Sequence, residues 1–528
     1  MTESTALRRQ ISPAYLWIAA TFGLVLLGQA LQSHVHLNHD VSWIAHSARW
    51  LLQGRSFGTD VLDPNPPLIW WLSMPAAAIA NAGLLDEAMA VQVVFWSYFL
   101  LSAVLLFRVL RDAGPDERAA SIGWQASFVV MATLAPGFSF GQREYLSVLL
   151  AMPYLASATL RSQRIENSDR LVYAGVGLLA GIGFAIKPFF LAVPLLVELW
   201  LVARLGWRSI FRLESVVLAV TVLAYLLAIV VFTPQYLTFT LPLMRSIYWS
   251  FDSGNFDAVL ARFWVITQPV LYGALVALIT RTWTRQHSVI LLAGIGYSFS
   301  YFIQAKGFVY HAYPVLVCSC VFVGICIASG WQRAYSIRRK IAGPIPFLLM
   351  VAIVLLAVVP IKQVHDDVMH WYFQYNVAWG PTGMFRQAAI SVVNRFAPNS
   401  KSYFFAFGTH PFPGFPSASY TKAEWTGRAS AQGILAAYAR MDEVPDAGLR
   451  KRIVQAAEMQ RRMVVEDMQL RPPSVVFVDR SPYRLAMNGR NFDDVAFYLQ
   501  DREFQKIWDE YEEYPPLGQF GIFVRRQH

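Results

Sequence analysis

The chain has 528 residues, of which 55% are hydrophobic and only 15% charged. Soluble domains average about 25% charged residues, so this composition, with a mean hydropathy of +0.39, excludes an ordinary soluble enzyme. The net charge of +10 does not imply a nucleic-acid partner, because the Arg residues fall in short loops between apolar runs, as the positive-inside rule describes.

Apolar runs of the length a bilayer requires, about 20 residues, recur through the first two thirds. The first is expected from about Pro13 to Leu31, with Arg8 and Arg9 holding its start in the cytoplasm. No small-residue cleavage site follows it, so it reads as a retained helix rather than a signal peptide. The long polar interruption 32–67 comes next. It carries His34, His36, His39, Asp40, Asp60 and Asp63 and ends in Pro64-Asn65-Pro66-Pro67. Connectors usually run to roughly 4–6 residues, so this length points to function. Val41, Ile44, Ala45, Ala48, Leu51 and Leu52 fall on one side of a helical pattern, so the loop is expected to be ordered.

LIWWLSMPAAAIANAG is short for a span and contains Pro75; with Trp70 and Trp71 it reads as a helix at the interface. Further spans are expected from about Met89 to Phe107, Ala119 to Ala135, Tyr145 to Leu160, Leu171 to Ile186 and Phe189 to Val202. Val216 to Phe232, Val259 to Ile279, Val289 to Ile303, Val315 to Ser329 and Pro344 to Val359 follow. That makes about eleven spans. The basic loops are placed inside, and the odd number puts the C-terminus outside. Cys318, Cys320 and Cys326 share one run, which argues against a disulfide framework or a zinc site.

From Lys362 the composition changes. Residues 362–528 hold 18 of the 34 acidic residues, with charges of both signs interspersed as on a soluble surface. SYFFAF, PSVVFV and FGIFV read as buried strands. ILAAYARM, RIVQAAEMQRRMVVEDM and DDVAFYLQDREFQKIW read as helices. The expected architecture is an α-helical polytopic membrane domain over 1–361 and an extracytoplasmic α/β domain over 362–528.

The outer loops collect Asp40, Asp60 and Asp63, then Arg143 and Glu144, then Lys187, Arg245, Lys306, Tyr310 and His311. Ionisable residues at the edge of apolar spans are costly and tend to be functional. A carboxylate beside cations suits glycosyl transfer from a lipid-linked phosphosugar: the carboxylate takes the acceptor's proton, and the cations stabilise the departing phosphate.

The loop NHD…ARWLLQGR…DVLDPNPPLIWWLSMP resembles the first outer loop of GT-C glycosyltransferases, in the branch of the protein O-mannosyltransferases and the lipid A aminoarabinose transferase. The resemblance implies that Asp40 is the catalytic acid/base carboxylate. GQREYL resembles the second acidic motif and implies a catalytic role for Glu144. AIKPFFLAVP resembles the Lys-bearing turn and implies donor-phosphate binding by Lys187. QAKGFVYHAYP resembles the late outer motif and places Lys306, Tyr310 and His311 at the site. One departure is Asn65, where the aminoarabinose transferase has a phosphate-contacting Lys. Phosphate stabilisation then falls on Lys187, Lys306 or Arg143, with Asp63, Tyr310 and His311 expected to contact substrate.

Each residue has a structural reading beside the functional one. Asp40 precedes VSWIAHSARWL and fits a helix N-cap. Asp60 and Asp63 fit turn residues. Glu144 fits an ion pair with Arg143 at a helix start, and Lys187 fits a snorkelling lysine. Lys306 and Tyr310 share a face if their segment is helical. His39, Asp40 and Glu144 are the set that would ligate a divalent metal, with His34 and His36 nearby; some GT-C enzymes use a metal and others do not. GVGLLAGIG reads as close helix packing rather than a phosphate loop.

The expected function is an inverting membrane glycosyltransferase of the plasma (inner) membrane, with a cytoplasmic N-terminus. It would move a sugar from a polyprenyl-phosphate donor to a hydroxyl on an envelope glycan, lipid or protein. The alternatives are a transporter or flippase of lipid-linked sugars, which would place charges at the bilayer midplane within inverted repeats, and a non-catalytic envelope assembly protein.

Overall fold

The computed structural model describes residues 13–163, 169–251, 256–339 and 344–526. Arg8 and Arg9, the expected cytoplasmic flank of the first helix, lie outside them. The first half of the chain folds as α1 (Pro13–Ser33), α2 (His39–Leu52), α3 (Leu68–Asn81), α4 (Glu87–Leu110), α5 (Arg118–Thr133), α6 (Arg143–Arg161) and α7 (Arg170–Ala185). It continues as α8 (Ala192–Leu205), α9 (Leu213–Phe232), α10 (Leu241–Ile247), α11 (Phe256–Ile279), α12 (Arg285–Gln304), α13 (Tyr313–Arg338) and α14 (Pro344–Tyr375). A helix therefore stands over each expected span. Among the described residues, seven stretches are long and apolar enough to cross a membrane: 14–33, 87–110, 188–205, 213–232, 256–279, 309–338 and 346–375. The helices α5, α6, α7 and α12 are shorter or richer in polar residues. Large apolar side chains such as Leu223, Leu227, Leu271, Leu275 and Leu355 stand exposed on α9, α11 and α14. Apolar surface of that extent calls for a lipid environment.

At the centre, α6 is buried from Arg143 through Leu160 and packs against α4, α7, α12 and α13. The glycines of GVGLLAGIG admit the neighbouring backbone. A Cβ at Gly177 would stand 2.4 Å from Glu214 O on α9, so this segment is a close helix crossing.

Two expectations need correction here. The eleventh expected span ends at about Val359, but helix α14 runs on to Tyr375. The composition shift at Lys362 marks where the helix becomes polar, not where it stops. Asn376 ends it, its Oδ1 accepting from Ala378 N at 2.9 Å. The segment DDVAFYLQDREFQKIW was read as one helix. It forms two, because the Asp501 side chain caps a fresh start, accepting from Glu503 N at 2.9 Å.

The C-terminal domain, expected on the outer side and called the outer domain for that reason, comprises α15 (Pro381–Phe396), β1 (Tyr403–Phe407), α16 (Gly414–Ser417), β2 (Glu424–Trp425), α17 (Gly433–Ala439), α18 (Ala447–Leu470), β3 (Val475–Asp479), α19 (Asp494–Tyr498), α20 (Arg502–Trp508), β4 (Tyr511–Leu517) and β5 (Phe520–Arg525). The sheet order is β2-β1-β3-β5-β4. β1 runs parallel to β2 and β3, while β5 is antiparallel to β3 and β4. The three strands legible in the sequence are the central ones. β4 was missed because Pro515 and Pro516 interrupt its pattern; the register slips between Tyr514 and Leu517, as suits an edge strand.

Helix α2 joins the two halves. Its predicted apolar face is buried at Val41, Ile44, Ala45 and Ala48, but Leu52 is exposed. Its polar face is buried as well, under the outer domain. Ser42 Oγ and Ser419 Oγ are 2.6 Å apart, and Arg49 reaches both Glu87 and Glu424 at 3.2 Å.

Candidate functional site

Asp40 is the second residue of α2, yet it is not the cap. Asn38 caps the helix, its Oδ1 accepting from Asp40 N at 2.8 Å. The Asp40 carboxylate is thereby released for other contacts. Arg143 Nη2 donates to Oδ2 at 3.3 Å and Gln142 Nε2 to the same oxygen at 3.2 Å, while His39 Nε2 stands 3.6 Å from Oδ1. Burial pushes the Asp40 carboxyl up, but His39, Arg143 and Gln142 together outweigh it and hold its pKa below the ordinary carboxylate value. His39 is itself driven towards the neutral form by burial. At neutral pH the holding therefore falls to Arg143 and Gln142.

Neighbours on a helix point about 100° apart, so Arg143 and Glu144 do not form the expected pair. Glu144 turns inward and is wholly buried. Its Oε1 accepts from Lys187 Nζ at 2.6 Å and lies 3.5 Å from His311 Nε2, while its Oε2 has no hydrogen-bond partner. Lys187 Nζ also donates to Gln304 Oε1 at 2.9 Å. Burial lowers the Lys187 ammonium to about 8 against the opposing pull of Glu144.

These groups border a cavity of about 870 Å³ between the membrane helices and the outer domain. Small-molecule sites typically occupy roughly 300–1,000 Å³. From the membrane half, Asp40, Asp63, Arg143, Lys187, Tyr310 and His311 face it. From the outer domain, Arg386, His410, Arg428 and Arg484 do.

Two expected site residues do not line this cavity. Glu144 lies behind the wall, where it holds Lys187. Lys306 turns away: its Nζ donates to Tyr248 O at 2.9 Å and stands 4.4 Å above the Tyr248 ring. The chain leaves α12 through left-handed residues, Ala305 (φ 46°) and Gly307 (φ 69°), and a helical turn resumes only at Val309–Ala312. Lys306 and Tyr310 therefore share no helix face. His39, Asp40 and Glu144, the residues that would hold a metal if one were used, are not brought together as a ligand set. Among the described residues no group of three or more His, Cys, Asp or Glu is placed to hold a metal ion.

The remaining loop residues are accounted for locally. Asp63 accepts from Trp43 Nε1 at 2.9 Å, and from Asn65 N at 2.8 Å and Asn65 Nδ2 at 2.7 Å. It thus builds the Pro-rich turn from the cavity wall, and burial raises its pKa. Asp60 accepts from Ser56 N at 2.8 Å in a surface turn. Arg245 and His34 are exposed. His36 Nε2 lies 3.1 Å from Gln387 Oε1, and burial lowers its pKa to about 4.

Arg386 and His410 were missed by the sequence reading. His410 leaves no local signal. Arg386 does leave one: Gly383, Arg386, Ala389, Ile390 and Val393 form the buried stripe of α15, and a lone Arg inside an apolar stripe is anomalous.

No family model matches this chain, and no curated protein matches it. Among solved structures it is similar to an arabinofuranosyltransferase, AftD, from mycobacteria, with 12% identity and a TM-score of 0.49. The likeness covers 97% of this chain and 40% of that one, so this chain spans about two fifths of the length of that enzyme.

Proposed function

We propose that this chain is an integral membrane glycosyltransferase of the GT-C kind. It moves a sugar from a polyprenyl phosphate to an acceptor hydroxyl at the outer face of the plasma membrane. The observation that carries the reading is convergence. Asp40, Arg143, Lys187, Tyr310 and His311 come from four separate segments of the chain, and all face one cavity where membrane helices meet the outer domain.

In this reading Asp40 is the general base. Its carboxylate is ionised, spared from capping and open to the cavity. It takes the proton of the acceptor hydroxyl as the hydroxyl oxygen forms its bond to the anomeric carbon. The bond from that carbon to the phosphate oxygen breaks on the opposite side, so configuration inverts. Arg143 and Lys187 stabilise the charge that collects on the leaving lipid phosphate. Glu144 and Gln304 position Lys187, and Tyr310, whose ring lies 6.0 Å from the Arg143 guanidinium, flanks the same pocket. The departure at Asn65 fits this division: Asn65 braces Asp63, and cations from later loops take the phosphate.

The test is release of free polyprenyl phosphate from a panel of polyprenyl-phosphate sugars. The detergent-purified full chain is used with envelope extract as acceptor, as wild type and as Asp40→Asn. Release that depends on Asp40 supports the reading; wild-type turnover by a folded Asp40→Asn protein removes it.

A further inference from the structure

Five cations face the cavity: Arg143, Lys187, Arg386, Arg428 and Arg484. Four of them have a carboxylate within ion-pair distance. Arg143 has Asp40 at 3.3 Å, Lys187 has Glu144 at 2.6 Å, Arg428 has Asp467 at 2.9 Å and Arg484 has Asp494 at 2.6 Å. Arg386 has none. Only 5% of it is exposed, and no described residue accepts a hydrogen bond from its guanidinium. Its Nη1 is buried without a partner. It is held by aromatic faces alone, 5.5 Å from the Phe138 ring centroid and 5.0 Å from that of Tyr375. Burial lowers its pKa to about 10.

A buried guanidinium without a carboxylate is costly, and its planar fork suits oxyanions in bidentate geometry. Its setting relates it to the reacting centre. The His39 and His410 rings are 4.6 Å apart, and both feel the Arg386 charge. His39 in turn adjoins Asp40. His39 Nδ1 is likewise buried and unpartnered. Asp40 therefore lies between two cationic flanks: Arg143 with Lys187 on the membrane side, and Arg386 on the outer-domain side.

We propose that Arg386 anchors an oxyanion subsite for the acceptor, so that the substrate presented to Asp40 carries a phosphate or carboxylate group bound by the outer domain. This rests on the glycosyltransferase reading for the word acceptor, but not for the anion site itself.

The test titrates inorganic phosphate, and separately acetate, into the detergent-solubilised full chain at ionic strength held constant with chloride, and follows the thermal midpoint. In Lys187→Met, which lacks one of the two donor-side cations, the oxyanion still raises the midpoint. In Arg386→Gln its apparent affinity falls about tenfold or more, and Arg386→Lys retains part of it. Unchanged affinity in folded Arg386→Gln, or no rise with either anion in the wild type, overturns the proposal. The stronger of the two anions identifies the group. Once turnover is measured, Arg386→Gln raises the acceptor KM and leaves the donor KM unchanged; the reverse result overturns the acceptor assignment. If no sugar donor is ever cleaved while Arg386-dependent binding persists, the glycosyltransferase reading falls and the oxyanion site stands.

Discussion

Helix α6 carries buried charge at both ends, and the two ends are built on opposite principles. At its last residue, Arg161 makes a two-pronged contact with Glu214, at 3.0 and 3.3 Å. Arg212 meets Glu198 at 2.6 Å, and Tyr154 and Ser215 donate to the same Glu198 oxygen at 2.6 and 2.7 Å. Two cations face two carboxylates, every polar atom of these four groups is engaged or exposed, and none of them lines the cavity. At its first turn, Arg143 and Glu144 belong to a cluster in which Arg143 Nε, Glu144 Oε2, His39 Nδ1 and Arg386 Nη1 are buried without partners. With Lys187 and Arg386 the cluster sets three cations on the cavity wall against Asp40 and Asp63, with Glu144 behind that wall. One end is neutral and saturated, as a structural rivet should be. The other is unsaturated, net positive and open to a cavity, as a binding site for an anionic substrate should be.

The sharpest way to break this comparison is at Asp40. Asp40→Asn keeps the shape and should reduce transfer about 10²- to 10⁴-fold with an unchanged unfolding midpoint, read by polyprenyl-phosphate release and by denaturation in detergent. The matching change at the other end is Glu214→Leu. It strands Arg161 and should cost about 3–5 kcal/mol of stability, measured as a lowered unfolding midpoint, while the KM of whatever folded enzyme remains is unaltered. A large KM change with intact stability would reverse the assignment of the two ends.

Lys187→Met should lower kcat about 10²-fold and, because it strands the buried Glu144 carboxylate 2.6 Å away, should also cost about 3–5 kcal/mol of stability. The pH profile sharpens this. The Lys187 ammonium is pushed down to about 8, so its charge is lost, and activity falls, as pH rises through that value. Lys187→Arg should move the alkaline limb upward. The Asp40 carboxyl is held below its ordinary value, so the base is lost only as pH falls through that lowered value, and the acid limb should lie below the usual carboxylate range. The smallest effect is expected at Asp60, which only accepts from Ser56 N. Asp60→Ala should cost about 0.5–1.5 kcal/mol of stability and leave turnover within twofold.

Much of this arrangement could be read from the sequence. A helix stands over each span expected from hydropathy, and of the loop residues singled out in the sequence, Asp40, Asp63, Arg143, Lys187, Tyr310 and His311 face one cavity. What escaped was whatever depended on direction rather than position. Asp40 was two residues from the true cap, Asn38, and spacing alone does not say which side chain closes the helix. Arg143 and Glu144 are adjacent in sequence but face different ways. Lys306 and Tyr310 would share a face only if their segment were helical, and the left-handed Ala305 and Gly307 break it. The outer domain's contribution was illegible for another reason: Arg386 lies more than 240 residues from Arg143, and only tertiary folding brings the two to one cavity.

The shared cavity wall has a consequence for how such a chain can be rebuilt. Because Asp40 comes from the membrane half and Arg386 from the appended domain, the two halves build one cavity wall between them. A chimaera that exchanges only the last 150 or so residues would keep its donor grip and lose one wall of the pocket. A workable graft would have to carry α2 along with the domain, since Ser42, His46 and Arg49 are fitted to Ser419 and Glu424. The natural seam for recombination therefore runs behind the first outer loop, not at the membrane surface.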